Sequence, residues 1–250
     1  MLCHASEPVS PLVTLEITDG VAVVSYNRPE KHNAFNDAMD DEFFQVLRSL
    51  HKSDDVRAMV WRGEGKSFSS GRDTTELGVR PEGVSDMEYI ERGHKRTKLL
   101  WTAPFPIVVA LKGWVLGGSF ERALLCDIRV ASDDARMALP EVQHGVIPDS
   151  GGTARLFQIA GHGVAADMAL TGRVMSADEA LTHGIVSRVV APDELDDAAL
   201  EIARTIASRS PVAVKMARHV LSSLATPEVE TSMHEEWLAQ TAVMGERKKT

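Results

Sequence analysis

The chain has 250 residues, 44% of them hydrophobic, enough for one well-filled core at the upper end of single-domain size. Its 27 basic and 36 acidic residues give a net charge of −9, which disfavours a surface that tracks nucleic-acid phosphates. Two cysteines, Cys3 and Cys126, exclude a disulfide framework and a cysteine-rich zinc site and fit a reducing cytoplasm; no run of about 18 apolar residues offers a membrane span, and MLCHASEPVSP lacks the order of a signal peptide. A soluble, cytoplasmic protein with no nucleic-acid or membrane partner is expected.

LVTLEI (12–17) and VAVVSY (21–26) flank the turn TDG and predict a hairpin. Asn36 or Asp37 then caps a helix whose Met39, Phe43, Val46, Leu47 and Leu50 recur at helical spacing. VRAMVWRG (56–63) returns as a strand, and a polar loop (63–85) leads to a helix beginning after Ser85. PIVVAL (106–111) and CDIRVAS (126–132) read as further strands; from about residue 150 the pattern is helical apart from IVSRVV (185–190). Ser176 and Glu179 form a capping box, and Ser210–Pro211 and Thr226–Pro227 each place an N-cap before a proline. The alternation predicts an α/β core (1–190) with a helical C-terminal region (191–250).

Three motifs mislead. GEGKS (63–67) has Val60 where a P-loop needs its first glycine, so phosphate cradling is rejected. HEEWL (234–238) starts like a zinc-protease helix but has Leu238 in place of the second histidine, so no metal is expected. DSGG (149–152) resembles a serine-protease nucleophile turn, but that chemistry belongs to an all-β double barrel, and His51 falls on a helix. His144 reads as a structural or solvated loop histidine and Trp114 as core.

GWVLGGSFE (113–121) asks why a chain leaving a buried strand places two adjacent glycines before a carboxylate. If they open a helix, Gly118 brings its N–H against a ligand with no Cβ between, and the helix start adds unpaired donors. A tight junction relieved by glycine is the alternative. KSFSSGRDTTEL (66–77) also follows a strand and presents Gly71 before Arg72. Two N–H groups converging on a thioester oxygen stabilise an enolate, by roughly 3–4 kcal/mol per donor.

SFSSGRD, LKGWVLGGSFERALLCDIRVAS and ARMALPEVQHGVIPDSGGTARL, in this order and at these separations, resemble the enoyl-CoA hydratase/isomerase (crotonase) superfamily, with agreement from NRPEKHNAF (27–35) to residue 190. The resemblance implies a crotonase-like spiral of β-β-α units and a helical C-terminal trimerisation region. It also implies acyl-CoA thioester substrates, self-association as a trimer or dimer of trimers, and no cofactor beyond the coenzyme A that the substrate carries. By position, Arg72 and Gly118 supply the oxyanion N–H groups, and Arg72, Asp73, Thr74 and Thr75 line the substrate. Glu121 handles the water and Glu141 the Cα proton of an enoyl-CoA hydratase, where one carboxyl must activate water and the other deliver a proton. Singly, Glu121 also reads as a first-turn helix acid and Glu141 as an exposed loop carboxylate.

The departures bear on the reaction. Asp149 stands where simple hydratases carry glycine and where dienoyl-CoA isomerases place a catalytic Asp; it is either a third proton carrier or the cap of a helix from Gly151. An isomerase using Glu141 and Asp149, a carnitinyl-CoA dehydratase-like enzyme, a non-catalytic acyl-CoA binder and a hydrolase acting through Ser150 are the alternatives. Arg122 either pairs with Glu121 or points to solvent, Arg72 adds a cation for a phosphate or polar acyl group, and Ser119 replaces a usual glycine.

Overall fold

A computed structural model describes residues 10–76, 79 and 82–247, with the Arg247 side chain excluded. Cys3, part of the 63–85 loop and the last three residues lie outside the described residues. The main sheet has the order β1-β2-β3-β4-β6-β9. The predicted hairpin, β1 (Val13–Thr18) and β2 (Val21–Tyr26), is its antiparallel edge. β3 (Ala58–Gly63), β4 (Ile107–Leu111), β6 (Ile128–Ser132) and β9 (Arg188–Val190) add in parallel.

Side chains alternate between the two faces of these strands, so each face has its own core. Val60, Val108, Ala110 and Val130 pack under Leu195, Ala199, Ile202 and Ala203 of α6 (Leu195–Ala207). Met59, Trp61, Ile107, Val109 and Leu111 face the other way, against Met39, Phe43, Phe44 and Leu47 of α1 (Asp37–Leu50). There Trp61 lies 4.7 Å from Phe43 and 5.0 Å from Phe68, centroid to centroid, so the strand that precedes the first glycine loop is clamped by aromatic rings. α2 (Asp86–Trp101), opened by a complete Ser85–Glu88 capping box, packs on α1 and on the terminal helix.

A second sheet joins β5 (Trp114–Leu116), β7 (Arg136–Ala138) and β8 (Met175–Ser176). These strands of three residues or fewer carry no periodic signal, and sequence reasoning missed them. β5 inserts between β4 and α3 (Gly118–Leu124), so the GWVLGGSFE segment turns within a sheet before it turns into a helix. α4 (Gly152–Thr171) breaks at Gly161, φ 79°, and α5 (Ala177–Thr182) follows. Ser176 accepts the Glu179 N–H as expected, but the Glu179 carboxylate turns to Arg173, leaving half a capping box.

One boundary is corrected. Thr226–Pro227 does not open a new helix: α7 (Pro211–Arg247) runs through Pro227. Thr226 Oγ1 accepts the Trp101 indole N–H at 3.1 Å and donates to the Ser222 carbonyl at 2.8 Å, and Val229 packs with Trp101 and Leu125. Docking on α2 outweighs the hydrogen bond that proline removes. No helix among the described residues is long and apolar enough to cross a membrane.

Candidate active site

The two glycine loops meet. Phe35 and Arg72 form an isolated parallel bridge in which the Phe35 N–H donates to the Gly71 carbonyl and the Asp73 N–H to the Phe35 carbonyl, each at 2.9 Å. That pattern turns the Arg72 N–H away from Phe35. Gly71, φ 87°, lies where a Cβ would stand 2.8 Å from the Leu116 carbonyl oxygen, so the loop presses directly on β5. Gly117, φ 56°, makes the turn out of β5, and Gly118 opens α3 with its N–H among the helix's unpaired first-turn donors. Ser119 bolts the loops together: its Oγ donates at 2.6 Å to Ser69 Oγ, which accepts the Gly71 N–H and donates to the Asn33 carbonyl.

Arg72 and Gly118 border a cavity of about 180 Å³ that also takes in Glu121, Glu141 and Asp149. Glu121 is 1% exposed. Its Oε1 accepts the Asp149 N–H at 3.2 Å, and its Oε2 accepts those of Ser150 at 3.0 Å and Gly152 at 3.2 Å. The remaining N–H of this tetrapeptide, from Gly151, goes to Glu236 of α7 at 2.8 Å. Four successive amides are thus shared by two buried carboxylates. Gly152 permits it, since a Cβ there would lie 2.5 Å from the Cα, Cβ and Cγ of Glu121.

Burial drives the Glu121 carboxyl well above its ordinary range, with Glu141, Glu236 and Asp149 adding to the rise and the Ser150 N–H opposing it. Glu141 stands at the start of a 3-10 turn (Glu141–His144); burial pushes it up to about 7, and its Oε2 is sealed from water with no hydrogen-bond partner. Burial likewise raises Asp149, against His94, Arg122, Gln240 and Arg72, and lifts Glu236 to about 7. Within such a cluster the carboxyls share protons as a unit. Glu121, with three N–H donors, is the member best equipped to hold negative charge, and Glu141, with a bare oxygen, the one best equipped to hold a proton.

Several expectations are corrected. Asp149 does not cap α4; Gly151 occupies that position without a side-chain bond, and Glu121 accepts the helix-start N–H of Gly152 instead. Arg122 neither pairs with Glu121 nor reaches solvent: it is 4% exposed and donates bidentately to Asp40 at 2.7 and 2.9 Å, 4.4 Å from the centroid of Phe35. Arg72 also has company, donating through Nη2 to Asp37 at 2.8 Å and Tyr89 at 2.7 Å. Trp114 is exposed at 39%, not core, because β5 turns it outward. His144 is exposed, and Glu141 is not the free surface carboxylate of the bland alternative.

Asp73, Thr74 and Thr75 do not line the cavity. Asp73 accepts from the Thr75 N–H and Oγ1 and from Arg28, and these bonds, the Thr75 hydroxyl's foremost, hold its carboxyl down at about 2. Sequence reasoning missed Glu236 and Gln240, the latter accepting the Ile147 N–H at 3.1 Å. Glu236 lies in HEEWL, set aside as a failed zinc motif, and Gln240 two residues beyond it; there Glu236 reaches the Gly151 loop and Trp237 donates to the Met87 carbonyl of α2.

The profile of the enoyl-CoA hydratase/isomerase family matches residues 16–249. The short-chain-enoyl-CoA hydratase of Clostridium acetobutylicum is 37% identical over 222 residues, 88% of this chain and 85% of that protein. The carnitinyl-CoA dehydratase of Salmonella arizonae is 35% identical over 209 residues, 83% and 78% of the two chains. Among solved structures, an enoyl-CoA hydratase/isomerase from Xanthobacter autotrophicus superposes with TM-score 0.85 at 30% identity, over 93% of this chain and 87% of that one. One from Pseudoalteromonas atlantica gives 0.85 at 28% identity, over 93% and 91%.

Proposed function

Because the chain belongs to the enoyl-CoA hydratase/isomerase family, we propose that it is a hydro-lyase that adds water to, or removes it from, a 2-enoyl-CoA thioester. The observation that carries the reading is the meeting of Glu121 and Glu141 with Arg72 and Gly118 around one cavity. The thioester oxygen accepts the Arg72 and Gly118 N–H groups. Glu121, ionised on its three amides, takes a proton from water as the water oxygen bonds to C3. The electron pair of the double bond moves to the thioester oxygen as an enolate, and Glu141 returns a proton to C2. Dehydration runs the same steps in reverse. The raised Glu141 carboxyl supports its place as the proton donor. The reading calls for no metal or redox cofactor, since coenzyme A arrives with the substrate.

Self-association as a trimer or dimer of trimers belongs to the same proposal. Val212, Met216, Val220 and Leu224 recur every four residues along one face of α7 and are all half or more exposed, as an unpartnered helix face would be.

One observation favours a second reading. The Asp149 carboxyl caps nothing and borders the cavity, as an isomerase pairing it with Glu141 requires. Turnover of crotonyl-CoA, crotonobetainyl-CoA and a 3-enoyl-CoA, with products resolved by mass, separates the two in wild type, Glu141→Gln and Asp149→Asn. Gain of a water mass, lost in Glu141→Gln and kept in Asp149→Asn, is the expected result. A product of unchanged mass, lost in Asp149→Asn, transfers the assignment to isomerisation. Retained acyl-CoA binding without turnover refutes both in favour of a binding protein.

A further inference from the structure

The cavity wall opposite the glycine loops is one face of α2, where Tyr89, Arg92, Gly93 and Arg96 fall at positions i, i+3, i+4 and i+7. This face borders the carboxyl cluster directly, since His94 of the same helix hydrogen-bonds the Asp149 carbonyl while the Asp149 N–H rests on Glu121. Substrate atoms beyond C3 therefore run toward α2. Phe35, Ile90, Val146, Ile147 and Met244 supply apolar walls on the way.

The aspartates at this end are already engaged. Asp37 is taken by Arg72, Asp40 by Arg122 and Asp41 by Arg96, whose Nη2 lies 2.5 Å from it. Arg92, exposed at the rim, has no carboxylate within ion-pair distance among the described residues and only draws down the exposed Glu88 one turn before it, so its guanidinium is left without a direct partner. Arg72 and Arg96 each form these contacts through Nη2, leaving other guanidinium N–H groups without a described partner. A bare alkyl terminus uses none of these donors, and a cationic terminus meets three guanidinium groups.

Resting on the hydratase reading for its orientation, we propose that this face is an acyl-terminus subsite selecting an anionic group: the substrate is an enoyl-CoA whose chain ends in a carboxylate, received by Arg92 with Arg72 and Arg96 beside it. Arginine fits because its planar fork meets a carboxylate with paired N–H donors. Gly93 supplies the room, since a Cβ there meets nothing within 4 Å.

The test compares hex-2-enoyl-CoA with its ω-carboxy counterpart of equal length, which share the coenzyme A part, in wild type and Arg92→Gln. The carboxylated substrate is expected to have the higher kcat/KM by roughly ten-fold, a rim-exposed charge-assisted contact being at the weaker end of its class, and Arg92→Gln to bring the ratio toward one. Gly93→Val is expected to lower kcat/KM for both six-carbon substrates relative to crotonyl-CoA. A wild-type preference for the neutral chain overturns the proposal. So does an Arg92→Gln loss that is equal for both substrates, which assigns the cation to the coenzyme A phosphates. If neither substrate turns over, the hydratase reading fails while the subsite is decided by calorimetric binding of saturated acyl-CoA and ω-carboxyacyl-CoA: a carboxylate preference that Arg92→Gln removes sustains it, and equal affinities overturn it.

Discussion

Replacing Asp40 by alanine isolates the Arg122 guanidinium in the wall of the site. Both groups are about 5% exposed, they share two bonds of 2.7 and 2.9 Å, and the guanidinium sits 4.4 Å from the Phe35 centroid and 5.2 Å from that of Phe44. Removing one partner of such a pair leaves an uncompensated buried charge and costs about 3–5 kcal/mol, far more than the pair contributes relative to apolar residues of the same volume. For a chain of this size that corresponds to a fall of roughly 6–20 °C in the thermal midpoint. Asp40→Ala should show this in urea and thermal unfolding followed by tryptophan fluorescence at fixed protein concentration. The double variant Asp40→Leu, Arg122→Met should recover most of the loss, and with the single variants Asp40→Leu and Arg122→Met it closes a cycle that should show a coupling of about 3 kcal/mol. Because Arg122 adjoins Glu121 on α3, kcat should fall in the single variant as the helix start shifts. A single-variant loss below about 1 kcal/mol, or a double variant no more stable than the single one, refutes the reasoning.

Gly152→Ala drives a methyl group into Glu121, so catalysis should fall by roughly 100-fold or more while overpacking costs only about 1–3 kcal/mol; steady-state kinetics within three-fold of wild type would sink the assignment of the α4 start to Glu121. Stability should also depend on pH in a defined window. Glu141 and Glu236 hold protons up to about 7 when folded, whereas unfolded glutamates lose them near 4.5, so the folded state is the better proton binder between these values. Stability is then highest at or below the lower value and declines as pH rises to about 7, by on the order of 1 kcal/mol per pH unit per group. Glu236→Gln should flatten the decline in urea titrations from pH 4.5 to 7, and an unchanged slope refutes the raised carboxyl.

The sequence by itself determined the elements whose signal is local. The TDG hairpin, the Asn36-capped helix with its Met39, Phe43 and Leu47 stripe, and the apolar run of β4 are written in periodicity and turn chemistry, which act over a few residues. The places of Gly118, Glu121 and Glu141 were legible in another way, through the resemblance of short motifs, in order along the chain, to those of the family. Only the tertiary structure decided which groups meet. Asp40 lies 82 positions before Arg122, and Glu236 lies 85 after Gly151, so no window of sequence relates them. Asp149 and Arg122 each had a sound local role, as helix cap and solvated cation, but lost it once burial made a distant partner worth more. Burial removes the competing water, so a carboxylate or guanidinium there takes the partner the fold brings to it rather than the one nearest in sequence.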